Sequence, residues 1–175
     1  MQLQGKRIAI LVEEGFEDLE FWVPLMRMQE EGAIVTVVGL EKGKTVHSKA
    51  GCLTGKADVA ANSVTADMFD GLIVPGGWAP DKLRRYDAIK AFVRGFHDQG
   101  KIIGMICHAG LVGISAGIVS GYRATGSLGI KDDLVNAGAT WVDEPAFRDG
   151  NLVWGRVVPD IPDFCRELVA ALTTG

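Results

Sequence analysis

Three short runs carry no charge and no polar–apolar alternation: Ile8-Ala9-Ile10-Leu11-Val12, Gly71-Leu72-Ile73-Val74 and Ile102-Ile103-Gly104-Met105-Ile106. Such runs suit strands buried on both faces, as in the centre of a parallel sheet. Ala33 to Val38 predicts a further strand. Helical spacing fills the intervals. Leu19, Trp22, Val23 and Met26 recur at i, i+3, i+4 and i+7 and predict a helix to about Glu31, ended by Gly32. Pro24 lies inside it and predicts a bend or a late start. Ile89, Phe92, Val93 and Phe96 mark a helix over 87–99. A helix follows Ile106 to about Ala116, and a short one spans 129–136. The last begins after Pro159, with Ile161, Phe164, Cys165, Leu168, Val169 and Leu172 on one face. Residues 41–64 carry short β patterns and glycine turns, an excursion at a sheet edge. Residues 141–155 predict a hairpin turning at Asp149-Gly150. The alternation of strands and helices predicts an α/β fold, a mainly parallel sheet between two helical layers.

In such folds ligands bind beyond the carboxyl ends of the strands, near the switch in strand order. Three loops leave those ends, after Val12, Val74 and Ile106. They carry Glu17, Gly76-Gly77 and Cys107-His108.

The bulk numbers narrow the function. A chain of 175 residues, 47% apolar and 23% charged, predicts one domain over 1–175 with a full-sized core. A net charge of −4 gives no basic footprint for nucleic acid. No apolar run is long enough for a membrane span, and the first residues run directly into a strand, so no leader is expected. Cys52, Cys107 and Cys165 are odd in number and lack metal-ligand spacing. A reduced, cytoplasmic protein without metal or cofactor is the expectation. Gly39-Leu40-Glu41-Lys42-Gly43-Lys44-Thr45 is one residue short of a P-loop and no helix pattern follows, so phosphate binding there is set aside.

Cys107 is the candidate nucleophile. It sits where the strand ending at Ile106 turns into a glycine-rich helix, a nucleophile-elbow context. The free N–H groups and positive dipole end of that helix favour thiolate, the reactive form. The alternative is a buried core cysteine, the reading given to Cys165; Cys52 lies in a turn. His108 is a candidate base or proton shuttle, or a packing residue at the helix start, since consecutive side chains usually diverge. Glu17 is one of five acids between Glu13 and Glu20. A carboxyl there could hold a proton against the sulfur, or serve the helix dipole. The N–H groups of Gly76, Gly77 and His108 could hold a developing oxyanion, or Pro75-Gly76-Gly77 is a plain turn. His47 is read as a loop residue, and His97 as a solvated residue following a helix's apolar face.

Four segments together resemble the ThiJ/PfpI family, and within it the PfpI-type proteases. They are Glu14-Gly15-Phe16-Glu17-Asp18-Leu19-Glu20, Val74-Pro75-Gly76-Gly77 with Ala79-Pro80, Ile106-Cys107-His108, and Gly129-Ile130-Lys131-Asp132-Asp133 with 136–143. The resemblance implies a flavodoxin-like α/β/α sandwich related to class I glutamine amidotransferases. It implies Cys107 as nucleophile, Glu17 as the carboxyl on its sulfur, His108 as partner, and Gly77 and His108 N–H groups as oxyanion donors. It also implies a homodimer or homohexamer in which an acid from a neighbouring subunit, here Asp81 in place of the usual Glu, orients the histidine. The chain departs from the family pattern in three places. Trp78 stands where Arg is common, Thr125-Gly126-Ser127-Leu128 lacks Tyr-Pro, and Ala109-Gly110 replaces Gly-Pro. An indole at the pocket mouth favours small carbonyl substrates, as in glyoxalase or deglycase chemistry on glycated groups, over peptide bonds. The alternative implied is a non-catalytic oxidative-stress sensor or chaperone working through oxidation of Cys107.

Overall fold

The computed structural model describes residues 1–174. The chain forms β1 (Arg7–Leu11), α1 (Asp18–Glu30), β2 (Ile34–Gly39), β3 (Thr45–His47), β4 (Thr54–Lys56), β5 (Val59–Ala60) and β6 (Gly71–Val74). Then come α2 (Ala79–Leu83), α3 (Asp87–Asp98), β7 (Ile102–Ile106), α4 (Gly110–Ala116), β8 (Arg123–Ala124), α5 (Lys131–Asn136), β9 (Thr140–Trp141), β10 (Ala146–Asp149), β11 (Leu152–Gly155) and α6 (Ile161–Thr174). The central sheet has seven strands in the order β10-β11-β7-β6-β1-β2-β5. Every neighbouring pair is parallel except β10–β11.

From β1 the chain moves outward through β2 to β5, then returns to the other side of β1 as β6 and continues to β7 and β11. The strand order therefore reverses at β1, and the loops after β1 and β6 diverge there, which opens a crevice. Ile10 pairs with Ile73 and Val74 with Met105, so β1, β6 and β7 end nearly level. A bridge from Phe16 to Gly77 ties the first two loops together.

Both faces of β7 are covered, as its unbroken apolar run requires. Gly104 faces α6, where an added Cβ would lie 2.5 Å from Leu168 Cδ2, so its missing side chain lets that helix lie close. Met105 faces the opposite layer and reaches Gly113 of α4. The apolar stripe expected for α6 is buried as read, Cys165 included.

Four expectations are corrected. In α1 the buried residues are Glu20, Phe21, Pro24, Leu25 and Met28, while Leu19, Val23 and Met26 are exposed. The helix does not start late at Pro24, since it runs unbroken from Asp18 to Glu30. Pro24 sits in its buried face, and its missing N–H deprives the Glu20 carbonyl of a helical partner. The hairpin is confined to β10 and β11, because Thr140–Trp141 pairs with β8 in a small parallel sheet. His97 is half-buried rather than solvated, with Nε2 3.1 Å from the Tyr122 hydroxyl.

Candidate active site

Cys107 has φ +60°, the only positive φ at a non-glycine residue among those described. A left-handed backbone costs an ordinary L-residue roughly 1–2 kcal/mol, so the surrounding structure must hold it. A 3₁₀ turn over Cys107–Ala109 follows β7 and runs into α4. The Ser127 N–H donates to the Cys107 carbonyl at 3.1 Å. Gly126 makes room for that carbonyl, since a Cβ there would lie 2.5 Å from it. The elbow therefore lifts the thiol off the strand end into the crevice, half-buried.

The sulfur is surrounded by four groups. His108 turns back toward it, with Nδ1 3.3 Å from Sγ, so here adjacent side chains converge. The backbone N–H groups of His108 and Gly77 also face the sulfur and favour its ionised form. The fourth group is a carboxyl, and it belongs to Glu20. Glu20 is fully buried, its Oε2 accepts the Gly76 N–H at 2.8 Å, and its carboxyl lines the same crevice as the Cys107 thiol, close enough for each to shift the other's titration. Oε1 has no hydrogen-bond partner among the described residues.

Glu17, expected against the sulfur, instead caps α1. Its Oε2 accepts the N–H groups of Leu19 at 2.8 Å and Glu20 at 2.9 Å, which satisfies two orphan donors of the first turn. Gly76 is corrected as an oxyanion donor, because its N–H is spent on Glu20; Gly77 retains that geometry. Asp81 is exposed and pairs with Arg85 of its own helix–loop segment, so within one chain it does not orient His108.

Burial and the neighbouring Glu17 charge push Glu20 up to about 7. Burial and the Glu20 charge push the Cys107 thiol up to about 12. Expulsion of charge from this crevice thus outweighs the helix N-terminus expected to ionise the sulfur. The pair keeps a proton between carboxyl and thiol at neutral pH, and losing the second proton is opposed by the first charge. His108 is pulled below the ordinary histidine range, first by burial and then by the Lys49 charge, so its imidazole is neutral near pH 7.

A stability prediction follows from Glu20. Its pKa is 4.5 in an ordinary setting and about 7 in the fold. Between those values the folded chain keeps a proton that the unfolded chain has released, so stability falls as pH rises through that window and stays reduced above it. Glu20→Gln keeps an oxygen for the Gly76 N–H and removes the charge. It is expected to raise unfolding stability at pH 8 by about 3 kcal/mol and to narrow its margin over wild type below pH 5. Urea midpoints at the two pH values check this; a variant less stable than wild type at pH 8 refutes it.

The crevice is a cavity of about 330 Å³ lined by Glu17, Glu20, Lys49, Gly77, Trp78, Cys107, His108, Ser127 and residues 157–159. Trp78 is 60% exposed and stands at its mouth. Lys49, unnoticed in the sequence, arrives from the loop after β3. No helix among the described residues is long and apolar enough to cross a membrane. Among the described residues no three His, Cys, Asp or Glu side chains gather as a metal site.

The sequence profile of the DJ-1/PfpI family matches residues 6–171. The chain belongs to the DJ-1/PfpI family. Among its relatives, a deglycase from Thermococcus kodakarensis is 39% identical over 166 residues, covering 95% of this chain and 99% of that one. The deglycase PfpI of Pyrococcus furiosus is 37% identical with the same coverage. The crystal structure of a two-domain protein from Anabaena variabilis, with DJ-1/ThiJ/PfpI-like and ferritin-like domains, superposes with a TM-score of 0.93 at 36% identity. That match covers 95% of this chain and 48% of the longer protein. The flavodoxin-like α/β architecture expected from the sequence is thus shared across the DJ-1/PfpI family.

Proposed function

We propose that this protein is an enzyme whose Cys107 attacks carbonyl carbon, acting on small carbonyl compounds and the glycated groups they form. One observation carries the reading: the Cys107 sulfur lies in a confined crevice, flanked by a carboxyl that can take its proton and two backbone N–H groups that can hold an oxyanion. Glu20 accepts the thiol proton as the sulfur–carbon bond forms, and the carbonyl π pair moves onto oxygen beside the Gly77 and His108 N–H groups. From an aldehyde this step gives a hemithioacetal once the oxygen is protonated, with neutral His108 placed to relay that proton. From an amide it gives a tetrahedral adduct, which expels the amine with a proton and leaves an acyl-enzyme. The size of the cavity supports the smaller substrates over a folded peptide. The enzyme names of the relatives do not favour a non-catalytic sensor.

The same proposal includes a cytoplasmic homo-oligomer, dimeric or hexameric, formed by a single-domain chain. The uncovered Leu19, Val23 and Met26 of α1 support association. For Asp81 to reach a neighbouring His108 it would have to leave Arg85. The test is consumption of methylglyoxal, of methylglyoxal-treated N-acetylcysteine and of a fluorogenic peptide by wild type and Cys107→Ser. Turnover of the carbonyl substrates that vanishes in the variant is expected. If neither carbonyl substrate is consumed, or the variant consumes them equally, the proposal fails.

A further inference from the structure

We propose that Lys49 selects the substrate, drawing in carbonyl compounds that carry a carboxylate a few bonds from the reacting carbon. This deepens the reading of Cys107 as a carbonyl-directed nucleophile and rests on it. The argument begins with how the lysine is held. Its backbone N–H donates to the Phe16 carbonyl at 2.7 Å. On one side, buried Ser48 is bonded to Leu53 through both backbone and hydroxyl. On the other, the Ala50 N–H donates to Asp18 Oδ2 at 3.2 Å. The segment is therefore pinned to the loop that delivers Glu17 and Glu20, and the side chain leaves it at the cavity mouth.

Among the described residues the Lys49 ammonium forms no ion pair; it lies 5.8 Å from the centroid of the Trp78 ring. The charged and titratable groups lining the cavity are Glu17, Glu20, Lys49, Cys107 and His108. The Glu17 carboxylate is set against two N–H groups of α1. Glu20 and Cys107 hold a proton between them, and His108 is neutral. Lys49 is the one cationic side chain in the cavity lining, and its field reaches Asp18, Glu20 and His108 without closing an ion pair on any of them. The apolar walls, Trp78 on one side and Val157 to Pro159 on another, suit a short hydrocarbon link between a carbonyl on Sγ and an anion at the mouth. A neutral substrate would leave the ammonium in water and gain nothing from it.

Alkylation reads this charge without needing turnover. Iodoacetate and iodoacetamide present the same carbon and the same leaving group and differ in charge. In each, the sulfur–carbon bond forms as carbon–iodine breaks and iodide departs. The experiment uses full-length protein in a Cys52→Ser background, because Cys52 is exposed, and follows the mass of the Cys107 peptide at low ionic strength. The ratio of the iodoacetate to the iodoacetamide rate constant cancels changes in thiol ionisation. It is expected to fall about fivefold in Lys49→Met, the scale of one exposed ion pair. The ratio should be retained in Lys49→Arg and should shrink in wild type as salt is raised. An equal ratio in wild type and Lys49→Met overturns the proposal. If the ratio falls but no carbonyl substrate is ever turned over, the anion site stands and the catalytic reading fails. If substrates turn over and the ratio is unmoved, the reverse holds.

Discussion

Cys107→Ser and Glu20→Gln are each expected to lower kcat/KM for a carbonyl substrate by about a hundred- to ten-thousandfold, the range for loss of a nucleophile's base or its equivalent. The double variant should be no slower than the worse single one, because the two groups share one proton and act as a unit. Serine keeps the shape of the elbow but puts an alcohol where the thiol stood. Glutamine keeps the hydrogen bond from Gly76 but cannot take a proton. A second readout separates chemistry from collapse. Burial is the largest cause of the raised Cys107 thiol and Glu20 the next, so Glu20→Gln should shift the midpoint of Cys107 alkylation against pH downward, while burial keeps it above the ordinary value. A variant that is slow in turnover yet alkylates at lower pH than wild type has lost a base, not its fold. Turnover within about threefold of wild type in Glu20→Gln would remove the carboxyl from the mechanism, since base catalysis is worth far more than that.

The elbow was legible because strand end, reactive residue and small residues are contiguous, and so was the crossing of the sheet that brings three loops together. The carboxyl was misassigned for a specific reason. The stripe Leu19, Trp22, Val23 and Met26 has good helical spacing, but the inward face of α1 is the next one round, Glu20, Phe21, Pro24, Leu25 and Met28. That stripe turns Glu20 away from the core, so spacing gives no reason to prefer it among the five acids, and the choice of Glu17 rests on the family resemblance. A proline and a glutamate on one face look polar and irregular, so periodicity counts against the face that is buried. The spacing Glu17-x-x-Glu20 held the usable signal, since the first acid of such a pair caps the helix and the second falls inside its first turn. The roles of Gly76 and Lys49 had no local signal. One is set by a contact across fifty-six positions of chain; the other depends on how the loop joining β3 to β4 is pinned to the start of α1.

Gly76→Ala is expected to destabilise the protein by about 1–3 kcal/mol, the usual cost of forcing an extra carbon into a packed interior, and to cut turnover about a hundredfold or more through misplacement of the reacting groups. A Cβ at this position would lie 2.3 Å from Glu20 Oε2, 2.9 Å from Cys107 Cβ and 3.0 Å from the Ile106 carbonyl. None of the three can retreat cheaply. The Glu20 carboxyl is fully buried, Cys107 is already held at φ +60°, and the Ile106 carbonyl belongs to the end of β7. The methyl group would therefore wedge the base from the nucleophile. Gly43→Ala is the control: its φ is +79° but a Cβ there meets nothing within 4 Å. That variant bears only the conformational cost of an L-residue in the left-handed region, about 1 kcal/mol, and should keep its activity. Urea midpoints and kcat/KM on both variants check the contrast. If Gly76→Ala turns over substrate like Gly43→Ala, the contact between Glu20 and Cys107 is not what drives the chemistry, and the proton must leave the thiol by another route, with the His108 imidazole 3.3 Å away the group placed to take it.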